Sequence, residues 1–480
     1  MKNKSKTSKA NIAVIFIMCF TSIVFLWLIG YFAFFIAKKG ELYTENSYNP
    51  RYTDESEYVI RGNILAEDGT ILATTKIDEN GNESRYYEYP AMFAHAVGYS
   101  TAGKTGIEEM ANSYLTTSNM DIMDQIEAAK AAGIKIQGDS VTTTLDVNLQ
   151  QSAYNMMSLW DGAIIAIEPS TGKIKCMVSK PDFNTNSIKD NYSNLVADNT
   201  NAVLLNRCTQ GMYPPGSTFK VVTTLAYLDQ GYSLNDFNYQ CNGAISVMDD
   251  IYHCYGGQAH GRVDLHKAFY KSCNCAFGTM GLGLDISNYQ ETAEKLFFNN
   301  DIPTDMLNVK KSSFALDLDS DNKEIAQTGF GQGETLVTPL QMCLIASAIC
   351  NDGEAMKPYL LESVQSEDGY LVQSFKPESI GQITSKNNAA VLQGLMRECV
   401  TDGTGKKLKD AYTYEAYGKT GTAEISDVSA DCHSWFMGYA KGYNGKELAI
   451  AIIMERAGNS SYAAVPIAQN VFDAYFSGLW

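Results

Sequence analysis

The sequence predicts an α+β protein that is carried on a single membrane-spanning helix. Residues 10–37 contain no charged side chain, and about 20 apolar residues are enough to cross a bilayer as a helix. Further along the chain, apolar strand patterns at 163–167, 174–178 and 447–454 enclose several helical patterns. Strands contributed by such distant parts of the chain imply one sheet with helices packed against it.

The charges around the apolar segment predict how it crosses the membrane. Four lysines precede it, and the two lysines that follow it are soon accompanied by glutamates. Because lysine-rich loops stay in the cytoplasm, residues 1–9 are expected to form a cytoplasmic tail and residues 10–37 the anchor. A cleaved signal peptide is the alternative, but its apolar core usually spans about 7–15 residues. The length therefore favours a single-pass protein whose remainder lies outside the cytoplasm.

Length and net charge limit the kinds of domain that can follow the anchor. The chain has 480 residues and a formal net charge of −17, which leaves room for two or three domains. Such an acidic chain is a poor candidate for binding nucleic acid, which normally meets a basic face. We expect a small non-catalytic domain at residues 38–140 and a larger mixed domain at residues 141–480.

A few local signals predict the elements of the small domain. Residues 61–73 alternate apolar and turn residues around Asp68-Gly69, which is a typical hairpin turn between short strands. The polar stretch 75–88 is interpreted as a loop. Residues 107–133 are expected to be helical and to end at a glycine.

Similar signals predict the elements of the larger domain. A strand at 141–145 is followed by Asp146, which is well placed to cap the next helix. Residues 170–173 separate two apolar strands and predict a hairpin turn. Helical patterns are expected at 218–229, 262–282 and 336–351.

The most informative stretch contains Ser217 three residues before Lys220, just after a Pro-Pro-Gly breaker. The breaker predicts a loop that ends where a helix begins, and positions three apart share one face of a helix. Lys220 is therefore expected to lie beside the Ser217 hydroxyl. It can accept the hydroxyl proton if burial or a nearby positive charge lowers its pKa. Because Ser-x-x-Lys is expected about twice by chance in a chain of this length, the pattern alone is a hypothesis.

A second pattern, Ser272-Cys273-Asn274, lies between two apolar helical stretches. A serine hydroxyl can relay a proton, and an asparagine side chain offers both an amide donor and an acceptor. These are the properties expected of a second wall of an acyl-transfer site.

A third pattern, Lys419-Thr420-Gly421-Thr422, lies in a strand-like stretch near the end of the chain. Lys419 supplies a positive charge that can hold a substrate carboxylate and also help to keep Lys220 neutral. A glycine within a strand lets a ligand backbone approach closely.

The ordered trio Ser-x-x-Lys, Ser-x-Asn and Lys-Thr-Gly resembles the signature of the penicillin-binding proteins, specifically the monofunctional class B transpeptidases. The resemblance covers residues 60–480 through further segments such as Arg61-Gly62-Asn63-Ile64, Gly106-Ile107-Glu108 and Trp435-Phe436-Met437-Gly438. It implies a β-lactamase/transpeptidase-like domain in which an antiparallel sheet carries helices on both sides and an all-helical lobe. A small β-rich pedestal and one transmembrane helix would precede that domain.

The resemblance also implies a role for each motif residue. Ser217 would be the acylated nucleophile, Lys220 its general base and Ser272 the third catalytic residue. The substrate-binding residues would be Asn274, Lys419, Thr420, Gly421 and Thr422. The implied reaction is the crosslinking of peptidoglycan stem peptides: Ser217 displaces D-alanine from a D-Ala–D-Ala terminus, and a neighbouring amine resolves the acyl-enzyme. β-Lactams would trap the same serine.

Such an enzyme requires no cofactor for catalysis, and the implied partner is a membrane-embedded glycan polymerase of the shape, elongation, division or sporulation type. Two alternatives stay open. Water could resolve the acyl-enzyme, as in D,D-carboxypeptidases and β-lactam-hydrolysing relatives, or the chain could be a non-catalytic β-lactam sensor or scaffold. The complete trio argues against a scaffold. A sensor would need a cytoplasmic output domain, whereas about ten residues precede the span.

Eleven cysteines are many for an exported protein. A candidate zinc cluster lies around the second pattern, in a stretch that also contains His260, and comprises Cys241, His253, Cys254, Cys273 and Cys275. Three interpretations stay open: buried free thiols, a disulfide between Cys241 and Cys254, or a structural zinc ion with four Cys or His ligands.

Overall fold

The computed structural model describes residues 3–44, 59–120, 135–424 and 432–477. The helices are α1 (Asn3–Thr44), α2 (Gly106–Met110), α3 (Asn112–Leu115), α4 (Val147–Met156), α5 (Ile188–Ala197), α6 (Lys220–Asp229), α7 (Leu265–Tyr270), α8 (Asn274–Gly283), α9 (Ile286–Lys295), α10 (Asn322–Phe330), α11 (Pro339–Cys350), α12 (Lys386–Thr401) and α13 (Ala464–Ser477). The strands are β1 (Val59–Ile60), β2 (Ile64–Leu65), β3 (Ile71–Ile77), β4 (Glu83–Tyr87), β5 (Ile136–Gln137), β6 (Ser140–Thr143), β7 (Gly162–Ile167), β8 (Ile174–Lys180), β9 (Asn238–Cys241), β10 (Ala244–Val247), β11 (Asp250–His253), β12 (Gly261–Asp264), β13 (Glu354–Met356), β14 (Leu361–Gln365), β15 (Leu371–Ser374), β16 (Ser379–Gln382), β17 (Tyr414–Glu424), β18 (Cys432–Gly442) and β19 (Glu447–Met454).

A five-stranded antiparallel sheet in the order β17-β18-β19-β7-β8 forms the centre of the larger domain. Strand β7 is buried along its whole length, as expected of a strand that is covered on both faces. Its residues alternate between two cores: Ile165 packs with α11 on one face, and Ile164 packs with α4 and α13 on the other. The predicted antiparallel sheet with helices on both sides is confirmed.

The helices α6 to α10 form a lobe beside the edge strand β17 and carry the predicted all-helical part of the domain. Phe219 lies at its centre and is fully buried. Its ring makes an edge contact with Phe298 at 5.6 Å and stacks on Phe314 at 6.2 Å between centroids. This aromatic cluster fixes the start of α6 against the rest of the lobe, and the start of α6 carries the Ser217-to-Lys220 motif.

A second, six-stranded sheet in the order β15-β14-β6-β2-β3-β4 joins the two parts of the chain. Strand β6 pairs in parallel with β2 and antiparallel with β14. The sheet thus continues across the expected boundary between residues 140 and 141. Nearby, the buried Glu108 carboxylate accepts a hydrogen bond from Arg61 at 2.7 Å and one from Arg85 at 2.6 Å.

Several local expectations are confirmed by these elements. Ala66 donates its N–H to the Thr70 carbonyl and closes the turn at Asp68-Gly69. The Asp146 carboxylate accepts from the first amides of α4 and caps it. The predicted strands at 163–167, 174–178 and 447–454 all form.

Other expectations differ from the structure. Residues 75–88 are not a loop, because β3 and β4 pair there as a hairpin that carries several polar side chains. The predicted helix at 262–282 is interrupted: β12 takes its first residues, and α7 and α8 are separated by a sharp turn. Of the helix expected at 107–133, the structure gives two short helices, α2 and α3, and residues 121–134 lie outside the described part.

Within the described residues, one helix is long and apolar enough to span a membrane. The apolar part of α1 runs from Val14 to Lys38 over 25 residues, and none of it is buried against the rest of the protein. This agrees with the anchor expected at residues 10–37, and the protein is accordingly a single-pass membrane protein.

Candidate active site

Ser217 lies on a short 3-10 turn, Gly216–Phe219, which leads directly into α6. The turn is held from behind by the indole N–H of Trp435, which donates to the Pro214 carbonyl at 3.0 Å. Thr218 adds a hydrogen bond from its hydroxyl to the Pro215 carbonyl at 2.6 Å. The hydroxyl of Ser217 is thereby presented at the start of a helix, where free backbone N–H groups are available.

Glycines allow neighbouring backbones to approach this turn closely. Gly216 has φ +55°, and a Cβ added there would lie 2.9 Å from the Thr422 carbonyl oxygen. Gly331 ends α10 with φ +89°, and a Cβ there would lie 1.8 Å from the Gly216 carbonyl oxygen. The nucleophile turn is therefore packed directly against β17 on one side and the end of α10 on the other.

Lys220 is fully buried, and its Nζ atom lies 2.7 Å from Ser217 Oγ. The same nitrogen lies 2.7 Å from Asn274 Oδ1 and 3.1 Å from Ser272 Oγ. Burial lowers the pKa of Lys220 well below its usual range, and the nearby charge of Lys419 lowers it further. A lysine that loses its proton easily, in contact with a serine hydroxyl, is a competent base for that hydroxyl.

Ser272 and Asn274 are brought to Lys220 by the turn between α7 and α8. Ser272 has φ +55°, an unusual conformation for a serine, which costs on the order of 1–3 kcal/mol and occurs mainly at functional sites. Asn274 begins α8 and donates its side-chain amide to the His253 carbonyl at 3.0 Å. The turn thus orients one hydroxyl and one amide towards the same lysine.

Lys419 reaches the other side of Ser272 from β17. Its Nζ atom donates to Ser272 Oγ at 2.9 Å and to the Thr420 carbonyl at 3.1 Å. Because Lys419 is also fully buried, burial lowers its pKa below the usual lysine value. Ser272 Oγ therefore lies between two lysine amines, and electrostatic repulsion disfavours the state in which both are charged.

Gly421 and Thr422 continue β17 alongside the nucleophile turn. A Cβ on Gly421 would lie 3.0 Å from the Pro215 carbonyl oxygen, so this position tolerates no larger residue without a shift. Thr420 and Thr422 line a cleft of about 710 Å³ that also exposes Ser217, Ser272 and Asn274. The structure therefore brings all eight predicted catalytic and substrate-binding residues together.

Sequence reasoning missed the far wall of this cleft. Thr404 lies in the loop after α12 and shares a hydrogen bond with the Thr420 hydroxyl, and Ser461 donates to the Thr404 carbonyl at 2.9 Å. Both residues line the cleft. Neither belongs to one of the three motifs, and no local pattern in the sequence marks them.

A thiol and imidazole cluster forms at the edge of the same cleft, but it differs from the predicted one: His260 is a member, and His253 and Cys275 are not. The sulfur and nitrogen atoms of Cys241, Cys254, His260 and Cys273 all lie within 4.8 Å of one another. His253 is not a member, because neighbouring residues of an extended segment point to opposite sides: Cys254 is buried and His253 is exposed.

The distances within the cluster exclude a disulfide in this structure. Cys241 Sγ lies 3.7 Å from Cys254 Sγ, far beyond the length of about 2.05 Å of an S–S bond. Cys275 Sγ lies 3.4 Å from Cys254 Sγ but outside the compact group of four ligand atoms. Hydrogen bonds from the neighbouring thiols, with Cys273 foremost, lower the pKa of the Cys254 thiol.

Comparisons with known proteins agree with this geometry. Residues 162–475 match the family described as penicillin binding protein transpeptidase domain, and residues 61–141 match the penicillin binding protein A dimerisation domain. The chain is 30% identical over 422 residues to the peptidoglycan D,D-transpeptidase PbpA of Mycolicibacterium smegmatis, covering 83% of this chain and 84% of that protein.

Solved structures resemble most of the chain. A D,D-transpeptidase domain from Eggerthella lenta superposes with a TM-score of 0.78 at 27% identity, covering 88% of this chain and 99% of that one. The ceftriaxone acyl-enzyme complex of penicillin-binding protein A from M. tuberculosis gives the same TM-score, identity and coverage. With the three motifs gathered in one cleft and both parts of the chain matched, this protein belongs to the penicillin-binding protein transpeptidase family, in its class B.

Proposed function

We propose that this protein is a peptidoglycan D,D-transpeptidase that works through a Ser217 acyl-enzyme and is a target of β-lactams. The observation that carries the proposal is the buried Lys220 amine at 2.7 Å from Ser217 Oγ. The M. smegmatis relative named a peptidoglycan D,D-transpeptidase, and the β-lactam acyl-enzyme of the M. tuberculosis protein, support the same chemistry.

In the first half-reaction, neutral Lys220 accepts the Ser217 proton as Oγ attacks the carbonyl carbon of the D-Ala–D-Ala bond. The backbone N–H groups of Ser217 and Thr422 stabilise the oxyanion that forms. Collapse of this intermediate breaks the C–N bond and releases D-alanine, whose nitrogen takes up a proton. Ser272 lies 3.1 Å from Lys220 Nζ and passes the proton towards the departing amine.

In the second half-reaction, an amine of a neighbouring stem peptide attacks the ester carbonyl of the acyl-enzyme. Lys220 accepts a proton from the attacking nitrogen, the ester C–O bond breaks, and Ser217 Oγ recovers its proton. The product is a new amide crosslink between two stem peptides.

The β17 side of the cleft would recognise the donor peptide. Lys419, Thr420 and Thr422 would bind the terminal carboxylate, because a buried amine and two hydroxyls suit a carboxylate. Gly421 allows the donor backbone to lie close to the strand, and Asn274 would hold an amide of the donor from the opposite wall.

Intact-mass measurement after incubation with benzylpenicillin tests the proposal. The wild-type chain should gain one penicilloyl adduct, and the Ser217→Ala variant should gain none. An unmodified wild type, or an undiminished adduct on the variant, would contradict the assignment of the nucleophile. Slow release of the adduct is expected of a transpeptidase, whereas rapid release would favour the hydrolytic alternative.

The arrangement of the whole chain extends the proposal. The short N-terminal tail would lie in the cytoplasm and the cleft outside it, as the lysine bias around α1 indicates. The two regions would divide near residues 140 and 141; the first family match ends at residue 141, and the second begins at residue 162. A membrane-embedded glycan polymerase would be the partner that supplies uncrosslinked strands.

We further infer that the four-residue thiol and imidazole cluster holds a structural zinc ion. Zinc–sulfur bonds of about 2.3 Å in a tetrahedron place neighbouring sulfurs about 3.8 Å apart. The sulfurs of Cys241 and Cys254 are 3.7 Å apart, those of Cys254 and Cys273 are 3.6 Å apart, and Cys241 Sγ lies 3.5 Å from His260 Nδ1. Three of the six distances between ligand atoms thus match the spacing that the ion requires, and all six are within 4.8 Å.

The position of Cys273 gives such an ion its role. Cys273 lies between Ser272 and Asn274, so a bond to its sulfur would fix both neighbours and support the strained backbone of Ser272. Elemental analysis of protein purified without oxygen should find one zinc per chain, and Cys273→Ser should lose it. Cys350→Ser, which changes a buried thiol outside the cluster, should keep it. Zinc-free wild-type protein would overturn this inference without affecting the test of Ser217.

A further inference from the structure

One acidic side chain lines the active-site cleft among the described residues. Glu424 is the last residue of β17, is exposed, and lies on the cleft wall together with Thr420 and Thr422. Because side chains of a strand alternate between its two sides, these three residues share one side. Glu424 therefore continues the row that the proposed function assigns to the substrate carboxylate.

The Glu424 carboxylate makes no hydrogen bond or ion pair with another described residue. The basic side chains on the described cleft surface are Lys271, His253 and His260. A positive charge lies at the Thr420 end of the cleft, because Lys419 donates from Nζ to the Thr420 carbonyl at 3.1 Å. The cleft is thus basic at its Thr420 end and acidic at its Glu424 end.

This charge pattern fits a substrate with a carboxylate at one end and an ammonium group some distance away. Along the strand, Glu424 lies about 7 Å from Thr422 and about 13 Å from Thr420, the two threonines assigned to the carboxylate. An extended donor peptide covers about 7 Å from its last residue to the residue two before it. A lysine-like side chain on that residue covers most of the distance that is left between the donor backbone and Glu424.

We propose that Glu424 binds the side-chain ammonium group on the donor residue that immediately precedes D-Ala–D-Ala. This inference rests on the proposed function. Glu424 is then a specificity-determining residue that selects donors carrying a free amine at this position. The acyl-transfer steps are unchanged, because the ion pair forms away from the scissile bond.

The test uses the full chain in detergent and two donor peptides that end in Lys-D-Ala-D-Ala, one with a free lysine amine and one with that amine acetylated. The measured quantity is the ratio of kcat/KM for D-alanine release from the two peptides. An exposed ion pair should favour the free amine by about two- to fivefold in the wild type. Added salt should reduce this ratio, because the pair is screened.

Substitution at Glu424 should act on the ratio itself. Glu424→Gln should bring it to about one, and Glu424→Lys should reverse it through like-charge repulsion. Glu291→Gln provides the matched control, since this exposed carboxylate on α9 pairs with Lys295 and not with the cleft. The control should retain the wild-type ratio.

The outcomes separate this inference from the function on which it rests. A wild type that forms the benzylpenicillin adduct but releases D-alanine equally from both peptides would overturn the role of Glu424 alone. A ratio unaffected by Glu424→Gln would do the same. Failure to form any acyl-enzyme would overturn the proposed function and this inference with it.

Discussion

Replacing Gly331 with alanine should displace the nucleophile, although Gly331 belongs to none of the three motifs. The new Cβ would lie 1.8 Å from the Gly216 carbonyl oxygen and 2.9 Å from Phe219 Cβ. Cβ atoms essentially never lie closer than 3.0 Å to another heavy atom, so the backbones must separate by at least 1.2 Å, the difference between 3.0 and 1.8 Å. A misplacement of about 1 Å at a reacting group costs roughly 100-fold in rate.

The expected result is therefore a fall of at least about 100-fold in the second-order rate of acylation by a fluorescent penicillin. Gly231→Ala is the matched control. Gly231 has φ +85°, close to the φ +89° of Gly331, but nothing lies within 4 Å of its Cβ position. Both variants bear the cost of alanine in a left-handed conformation, about 1 kcal/mol, and only Gly331→Ala also meets a neighbouring backbone.

Thermal melting of both variants separates loss of fold from loss of geometry. A Gly331→Ala protein that melts like the Gly231→Ala control but acylates at the wild-type rate would refute the proposed contact between α10 and the nucleophile turn. Acylation that fails in a protein with intact melting would support it.

Further predictions concern the buried charges and the support of the turn. The acylation rate should rise with pH as Lys220 loses its proton. Lys419→Met should move this rise to higher pH, because it removes the positive neighbour that lowers the pKa of Lys220. Profiles of acylation rate against pH measure both effects. Glu108→Gln leaves two buried arginines without their shared carboxylate and should lower the free energy of unfolding by about 3–5 kcal/mol, as measured by urea titration. Trp435→Phe removes the hydrogen bond to the carbonyl before the nucleophile turn and should cost about 1–3 kcal/mol by the same measurement, with slower acylation.

The elements that could be predicted from the sequence are those whose pattern is set by local physics. Strand β7 reads as an unbroken apolar run because both of its faces are buried. The cap of α4 follows from an aspartate directly before an apolar helical pattern. The Ser217-to-Lys220 geometry follows from helical spacing alone, and the structure gives the expected contact at 2.7 Å.

The elements that could not be predicted depend on contacts between distant residues. The β3–β4 hairpin carries many polar side chains, and its turn is closed by hydrogen bonds from the backbone amides of Asn80 and Asn82 to the Asp78 carboxylate. No hydrophobic alternation marks it. Thr404 reaches the cleft because α12 ends beside β17, which nothing near Thr404 in the sequence indicates.

The choice between His253 and His260 as a member of the thiol cluster illustrates the same limit. Both histidines lie in the same stretch of sequence, and His253 is adjacent to a member of the cluster. Only the course of the backbone decides between them: His253 projects outwards from the end of β11, and the chain then turns back so that His260 reaches Cys241.

The sheet that contains β6 also determines how the protein can be divided. Strand β6 forms backbone hydrogen bonds along both of its edges, with β2 on one side and β14 on the other. A shortened protein that begins at β6 would expose one of these edges to solvent, and an open strand edge readily recruits a strand from another molecule. Excising the catalytic region would thus create a self-association surface, which the pairing of β2 with β6 covers in the full chain.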